Sequence, residues 1–367
     1  MRTLLRVVAG LFVLLIITGA GFAFVLSQNG PCQPLEQAPP GPAAMKAVTY
    51  TCYGSPDVLQ ISSQPVPQPE AGEVLIRVRS AAVNPMDWHF MRGSPYFMRL
   101  MSGIGNPENE RLGTDFSGVV EAVGSDVTRF RVGDEVFGGA VGAFAGFVTV
   151  PEGRALARKP DNVSHAEAAA MPVAAITALQ ALRDKGGLEP GQQVLINGAS
   201  GGVGTYAVQI ARAMGASVTG VCSTRNAERV LALGADRVID YTVDDYTRDA
   251  ERYDLIVDMV GNRSIVENRR IMKPDARMVI VAGGVGDWIG PFGNPIAAMV
   301  VAPFVPQRFT TLFATLNAED LETLAGMMSR GQVRSTIDRH YPLEKIAEAI
   351  SYSESGRARG KIIIDIP

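Results

Sequence analysis

Residues 195–204, LINGASGGVG, run from a short apolar stretch into a glycine-rich turn around one serine. A turn cleared of side chains lets a ligand reach the main chain. Where it follows a strand and opens a helix, the free N–H groups and the helix dipole favour an anion. Here QQVLIN reads as the strand before it, GTYAVQIARAM as the helix after it and ASVTGVC as the next strand. This context predicts a dinucleotide pyrophosphate on Ala199, Ser200, Gly201, Gly202, Val203 and Gly204. Gly198 and Gly201 allow the tight turn, Gly202 lets the phosphates approach, and Gly204 permits close packing of helix on strand.

The end of the second strand reads Cys222-Ser223-Thr224-Arg225-Asn226. A carboxylate at this place would accept the ribose 2′-hydroxyl and select NADH. None stands there. A guanidinium beside hydroxyl groups suits a 2′-phosphate, so Ser223, Thr224, Arg225 and Asn226 predict NADPH. Val260-Gly261 and Gly283-Gly284 close later strands and are expected to border the nicotinamide ribose.

Metal chemistry has weaker support. The histidines His89, His165 and His340 are far apart in sequence, and Cys32, Cys52 and Cys222 show no metal-ligand spacing. The cysteines are expected to be reduced thiols, being too few and too scattered for a disulfide framework. A net charge of −3 argues against a nucleic-acid partner.

The elements that must hold these residues follow from pattern. Val7–Leu26 is an uncharged run long enough to span a bilayer as a helix, with a cleaved signal peptide as the competing reading. Residues 27–44 read as a Pro-rich, semi-rigid linker. From Met45 to about residue 170, β-branched alternation broken by turns predicts a mostly β domain. Ser164 and Glu167 form a capping box that opens one helix through residue 182. Residues 171–311 alternate strand and helix, as a doubly wound parallel sheet requires. The tail, 312–367, ends in a strand, GKIIIDIP, that fits the first domain better. The apolar stretch GDWIGPFGNPIAAMVVAPFV is expected to be a buried helix or a dimer interface rather than a second membrane contact.

Together with AVNPMDW, AAITALQAL and LGADRVIDY, the Ala199–Gly204 turn resembles the medium-chain dehydrogenase/reductase superfamily, in its zinc-free quinone oxidoreductase and alkenal reductase branch. The resemblance covers residues 45–367. It implies an α/β fold, with a GroES-like mostly β catalytic domain and a Rossmann doubly wound domain; the N-terminal transmembrane helix, read from the apolar run, lies outside the resemblance. It also implies hydride transfer from NADPH to quinones or α,β-unsaturated carbonyls, and a homodimer. By the same resemblance Asn84 lies beside the nicotinamide and Asp87 follows at the family spacing. His89 stands where relatives carry tyrosine or lysine, and Tyr96 lies one residue from a proton-donating tyrosine. Thr177 would approach the carboxamide and Tyr241 the 2′-phosphate. For His89 and Tyr96, a hydrogen-bonded loop residue and a packing residue are the rival readings.

Zinc enzymes of the superfamily carry a cysteine and a Gly-His-Glu where this chain has Pro85-Met86 and Gly113-Thr114-Asp115. No metal is expected. The remaining alternatives are a non-catalytic membrane-tethered NADPH-binding sensor or scaffold and a zinc-type alcohol dehydrogenase. Arg2 and Arg6 before the apolar run would place the body outside the cytoplasm. The cofactor argues for a body facing the cytoplasm, which is the expectation adopted.

Overall fold

The computed structural model describes residues 17–35, 37–39, 41–281, 286–288 and 290–367. Two sheets carry the architecture. The first is a seven-stranded, largely antiparallel sheet. Its strands are β3 (Glu73–Val83), β4 (Asp115–Val123), β5 (Glu135–Gly139), β6 (Phe147–Pro151), β7 (Leu156–Arg158), β14 (Ile337–Pro342) and β15 (Lys361–Asp365). A separate hairpin of β1 (Ala44–Thr49) and β2 (Gln60–Pro65) precedes it. β3 is the hub, pairing antiparallel with β4, β6 and the C-terminal β15. The expectation that the last strand returns to the first domain therefore agrees with the pairing.

The second sheet contains β8 (Gln193–Asn197), β9 (Ser217–Cys222), β10 (Arg237–Asp240), β11 (Tyr253–Asp258), β12 (Met272–Ile280) and β13 (Arg308–Thr311). All neighbours are parallel, in the order β10-β9-β8-β11-β12-β13. This is the doubly wound order of a dinucleotide-binding fold. Helices cover both faces of such a sheet, so its central strands are continuous apolar runs rather than alternating ones. In β8, Val194, Leu195 and Ile196 are fully buried. Each such side chain contributes roughly 1.5–3 kcal/mol on removal from water. The strand order reverses between β8 and β11, which opens a crevice at their carboxyl ends.

One helical expectation needs correction. Ser164 does cap, accepting from Glu167 N–H at 3.2 Å while its own N–H donates to the Glu167 carboxylate at 3.0 Å. The segment is nevertheless two helices, His165–Ala169 and Pro172–Gln180. Pro172 has no N–H to continue the first helix, so a second starts on it.

The N-terminus departs further from its reading. Residues 17–27 are helical, and the earlier part of the run Val7–Leu26 lies outside the described residues. Among the described residues no helix is long and apolar enough to cross a membrane. Residues 28–35 and 37–38 do not form a free linker. Gly30 N–H donates to Gly105 O at 2.7 Å, Gln33 N–H donates to Thr51 Oγ1 at 3.1 Å, and Ala38 N–H donates to Ser63 O at 2.8 Å. Cys32 and Cys52 form a disulfide, which overturns the expectation of reduced thiols at these two positions. They stand 20 positions apart in sequence, and only the bonding of residues 29–33 to residues 51–53, beyond β1, brings the two together. Cys222 is a free, buried thiol.

Candidate functional site

The helix Gly202–Ala213 starts at Gly201 without any capping side chain. Its first N–H groups are therefore left to an outside acceptor, whereas the helices starting at His165 and Ile265 have serine–glutamate capping boxes. The turn before it is shaped by close approach. Gly198 has φ +89°, and a Cβ on Gly204 would sit 2.1 Å from Gly198 O. A Cβ on Gly202 would approach Lys361 Cδ at 3.3 Å.

This helix start opens onto a cavity of about 540 Å³ at the carboxyl ends of β8, β9 and β11. Ser200, Gly201, Gly202, Val203 and Gly204 line it, with Ser223, Arg225, Asn226, Tyr241 and Val260, and Asn84 faces it from the other domain. Arg225 is exposed and makes no hydrogen bond or ion pair among the described residues. Asn226 Nδ2 donates to Ser200 Oγ at 3.1 Å and Ser223 Oγ at 3.2 Å, tying the glycine turn to the end of β9. An uncapped helix start and a free guanidinium at the end of the second strand, both opening on one cavity, fit a dinucleotide with a 2′-phosphate.

Four expected cofactor residues are placed differently. Thr224 Oγ1 is held by Asp240 and by Thr242 Oγ1. Thr177 is buried, with its hydroxyl donating to Val173 O at 2.6 Å. Ala199 is buried behind the turn, its N–H bonded to Val221 O at 3.1 Å. Gly261 spends its N–H on Asp258 Oδ1 at 2.9 Å. None of the four lines the cavity. Gly283 and Gly284 lie outside the described residues.

Opposite the glycine turn is a buried polar network that three strand ends create. Asn84 follows β3, Asp115 starts β4 and Lys361 starts β15. The registers Ala82–Asp115 and Val83–Ile362 bring the three to one edge. Lys361 Nζ donates to Asn84 Oδ1 at 2.5 Å and to Asp115 Oδ2 at 3.2 Å, and Asn84 Nδ2 donates to Asp115 Oδ2 at 3.0 Å. Asp115 also accepts from Val173 N–H at 3.0 Å. All three side chains are buried. The carboxylate standing where the zinc enzymes have a ligand is thus committed to an ammonium, an amide and a backbone N–H.

Asp87 extends this network on the far side of Asn84, whose N–H donates to Asp87 Oδ2 at 2.7 Å. Burial pushes the Asp87 carboxyl up to about 7, and the nearby Asp115 adds to the rise. Burial also raises Asp115, against the pull of Lys361. Asp87 faces a second cavity of about 590 Å³, with Tyr50, Phe90, Leu112 and Thr114 among its walls. Burial and the charges of Tyr53 and Asp87 raise the Tyr50 phenol well above its ordinary value. Asn84 thus lines the first cavity and Asp87 the second.

His89 and Tyr96 line neither cavity. His89 Nδ1 is 2.7 Å from Ser94 O, its ring stacks on Trp88 at 3.6 Å, and burial lowers its pKa. Tyr96 lies under the Arg99 guanidinium at 4.7 Å and edge-on to Trp288 at 4.9 Å. Lys361 and Tyr50 were missed from sequence. Lys361 lies 277 residues from Asn84, and nothing in the local pattern of GKIIIDIP marks its pairing with β3. Tyr50 reads as one more β-strand aromatic.

Residues 70–161 match the family described as "Alcohol dehydrogenase GroES-like domain" and residues 233–364 the family described as "Zinc-binding dehydrogenase". The chain is 34% identical over 338 residues to a 2-methylene-furan-3-one reductase of Solanum lycopersicum, covering 88% of this chain and 79% of that one. It is 32% identical to a chloroplast envelope quinone oxidoreductase homolog of Arabidopsis thaliana, covering 88% of this chain and 98% of the relative. Among solved structures, the quinone oxidoreductase from Coxiella burnetii superposes with a TM-score of 0.78 at 28% identity, over 88% of this chain and all of that one. With the doubly wound sheet, the GroES-like sheet and the glycine turn between them, these similarities show that the chain is an oxidoreductase of the medium-chain dehydrogenase/reductase superfamily and belongs to its zinc-free quinone oxidoreductase-like branch.

Proposed function

We propose that the protein transfers hydride from NADPH to quinones or α,β-unsaturated carbonyls without a metal. The observation that carries this reading is the shared cavity. An uncapped glycine-turn helix and the unpaired Arg225 face it from one domain, and Asn84 and Lys361 face it from the other. The names of the tomato and Arabidopsis relatives point to the same substrate classes.

The N–H groups of Gly202, Val203 and Gly204 would hold the pyrophosphate, with the Lys361 ammonium close by. Arg225, Ser223, Asn226 and Tyr241 would hold the 2′-phosphate. Reduced nicotinamide supplies the hydride when bound. Asn84, fixed by Lys361, Asp115 and Asp87, would orient the nicotinamide with its reactive face toward the second cavity. The second cavity would take the acceptor. There the Asp87 carboxyl, whose raised pKa keeps it largely protonated below about pH 7, and the Tyr50 phenol are placed to give a proton to a developing enolate or quinol oxygen. His89 and Tyr96 would shape the loop beside this cavity.

The N-terminal run is proposed to attach the enzyme to a membrane. The Cys32–Cys52 disulfide and the position of Arg2 and Arg6 support a body on the side away from the cytoplasm, the reverse of the sequence expectation. NADPH would then have to be supplied on that side. Membrane-impermeant alkylation of intact cells carrying a surface cysteine variant tests the orientation. The function is tested by NADPH consumption with a series of quinones and enals after chelator dialysis. Tight NADPH binding without turnover on any acceptor would favour the sensor reading instead.

A further inference from the structure

Two uncharged stretches of chain meet beside the acceptor loop. The first runs from Val7 to Leu35 without an ionisable group other than the thiol of Cys32, which is held in the disulfide. The second, residues 93–107, contains one charged residue, Arg99. That arginine is 1% exposed. Its guanidinium donates to Leu26 O at 2.8 Å, Gln28 O at 2.9 Å and Asn29 Oδ1 at 2.8 Å from the first stretch, and to Gly93 O at 2.7 Å from the second. Gly30 N–H to Gly105 O and Asn106 Nδ2 to Pro31 O, at 2.9 Å, continue the seam.

Because the only cation is turned inward, what remains outside is apolar. Phe22, Phe24 and Val25 of the helical residues 17–27 are exposed, and so are Leu100, Met101 and Ile104, with Met101 at 87% and Phe24 at 65%. Large apolar side chains exposed in such numbers on adjoining segments mark an interaction surface, and the exposed Glu108, whose N–H donates to Ser102 O at 2.8 Å, stands at its edge. The helical residues continue the uncharged run that is long enough to enter a bilayer, and Arg99 fixes the end of that run, Leu26, against the loop carrying Tyr96. Tyr96 and Phe97 in turn touch Trp288 and Phe292 of the other domain, at 4.9 and 4.5 Å between ring centres.

We propose that residues 17–25 and 97–104 form one membrane-facing surface, which seats the acceptor loop at a lipid bilayer and admits acceptors dissolved in it. The proposal rests on the quinone and enone reading above and adds the source of the substrate. Arg99 is a positioning residue here: it joins the membrane-entering segment to the loop and removes the charge that would oppose contact with lipid.

The test uses the full chain in phosphatidylcholine vesicles. Leu100→Trp emission, taken as the difference from the parent protein, is expected to be quenched by acyl-brominated phosphatidylcholine, and that of Val243→Trp, on the far domain, to be unaffected. The double variant L100E/I104E is expected to raise KM for a long-chain quinone in vesicles about tenfold or more while changing KM for water-soluble 1,4-benzoquinone less than about twofold. Equal quenching at both positions, or equal KM changes for both quinones, would overturn the proposal. So would efficient Leu100→Cys cross-linking between copies without lipid, which would assign the face to a second copy. Selective quenching with no turnover of any acceptor would keep the surface and overturn the functional reading beneath it.

Discussion

At the residue scale, the cofactor assignment depends on Arg225 and the proton assignment on Asp87. A guanidinium-to-phosphate hydrogen bond contributes about 1.5–3 kcal/mol, so Arg225→Ala is expected to raise KM for NADPH roughly 10–100-fold. KM for NADH should change little, and steady-state kinetics with both cofactors checks it. Asp87 has its folded pKa raised above the unfolded value, because burial disfavours the charge. The folded state therefore binds the extra proton between about pH 4 and 7. Stability from this group is present below that window and is lost as pH rises through 7. Asp87→Asn should remove that part of the pH dependence of Tm, while keeping an oxygen to accept from Asn84 N–H. An unchanged Tm–pH profile would contradict the burial argument. The place of Arg225 on the cavity was legible because a strand end in a βαβ unit has a known neighbour. The place of Thr224, in the same tetrapeptide, was not, because its hydroxyl bonds to Asp240, one strand away.

At the element scale, the glycine turn and the start of the next helix act together. A Cβ on Gly204 would lie 2.1 Å from a backbone oxygen that cannot swing aside. Gly204→Ala is expected to cost roughly 1–3 kcal/mol and to weaken NADPH binding, which thermal melts with and without cofactor would separate. The strand–helix alternation was readable from periodicity, since buried parallel strands and amphipathic helices leave different patterns. The break at Pro172 was readable too, but the capping box before it favoured one long helix. What periodicity could not convey was register. Lys361 reaches Asn84 only because β15 pairs antiparallel with β3, and that pairing is a property of the sheet.

At the scale of the whole molecule, the N-terminal residues 28–35 and 37–38 change from a linker into part of the body. Closing about 20 residues with Cys32–Cys52 should stabilise by roughly 3 kcal/mol. C32S/C52S is expected to lower Tm accordingly, and alkylation of the unreduced, denatured protein should modify one thiol, Cys222, rather than three. Compositional reading missed this because proline-rich segments without apolar periodicity usually do not pack. The presence of two kinds of sheet, by contrast, followed from a change of pattern along the chain, from β alternation to alternating strand and helix.

The central claim is that hydride passes from NADPH, bound across the two domains, to an electron-poor acceptor. Turnover of an α,β-unsaturated ketone with NADPH deuterated at C4, using each stereoisomer in turn, tests it most directly. With one stereoisomer, the saturated product is expected to carry deuterium at the former β-carbon. An unlabelled product with both, or no product while NADPH binds tightly, would contradict the account.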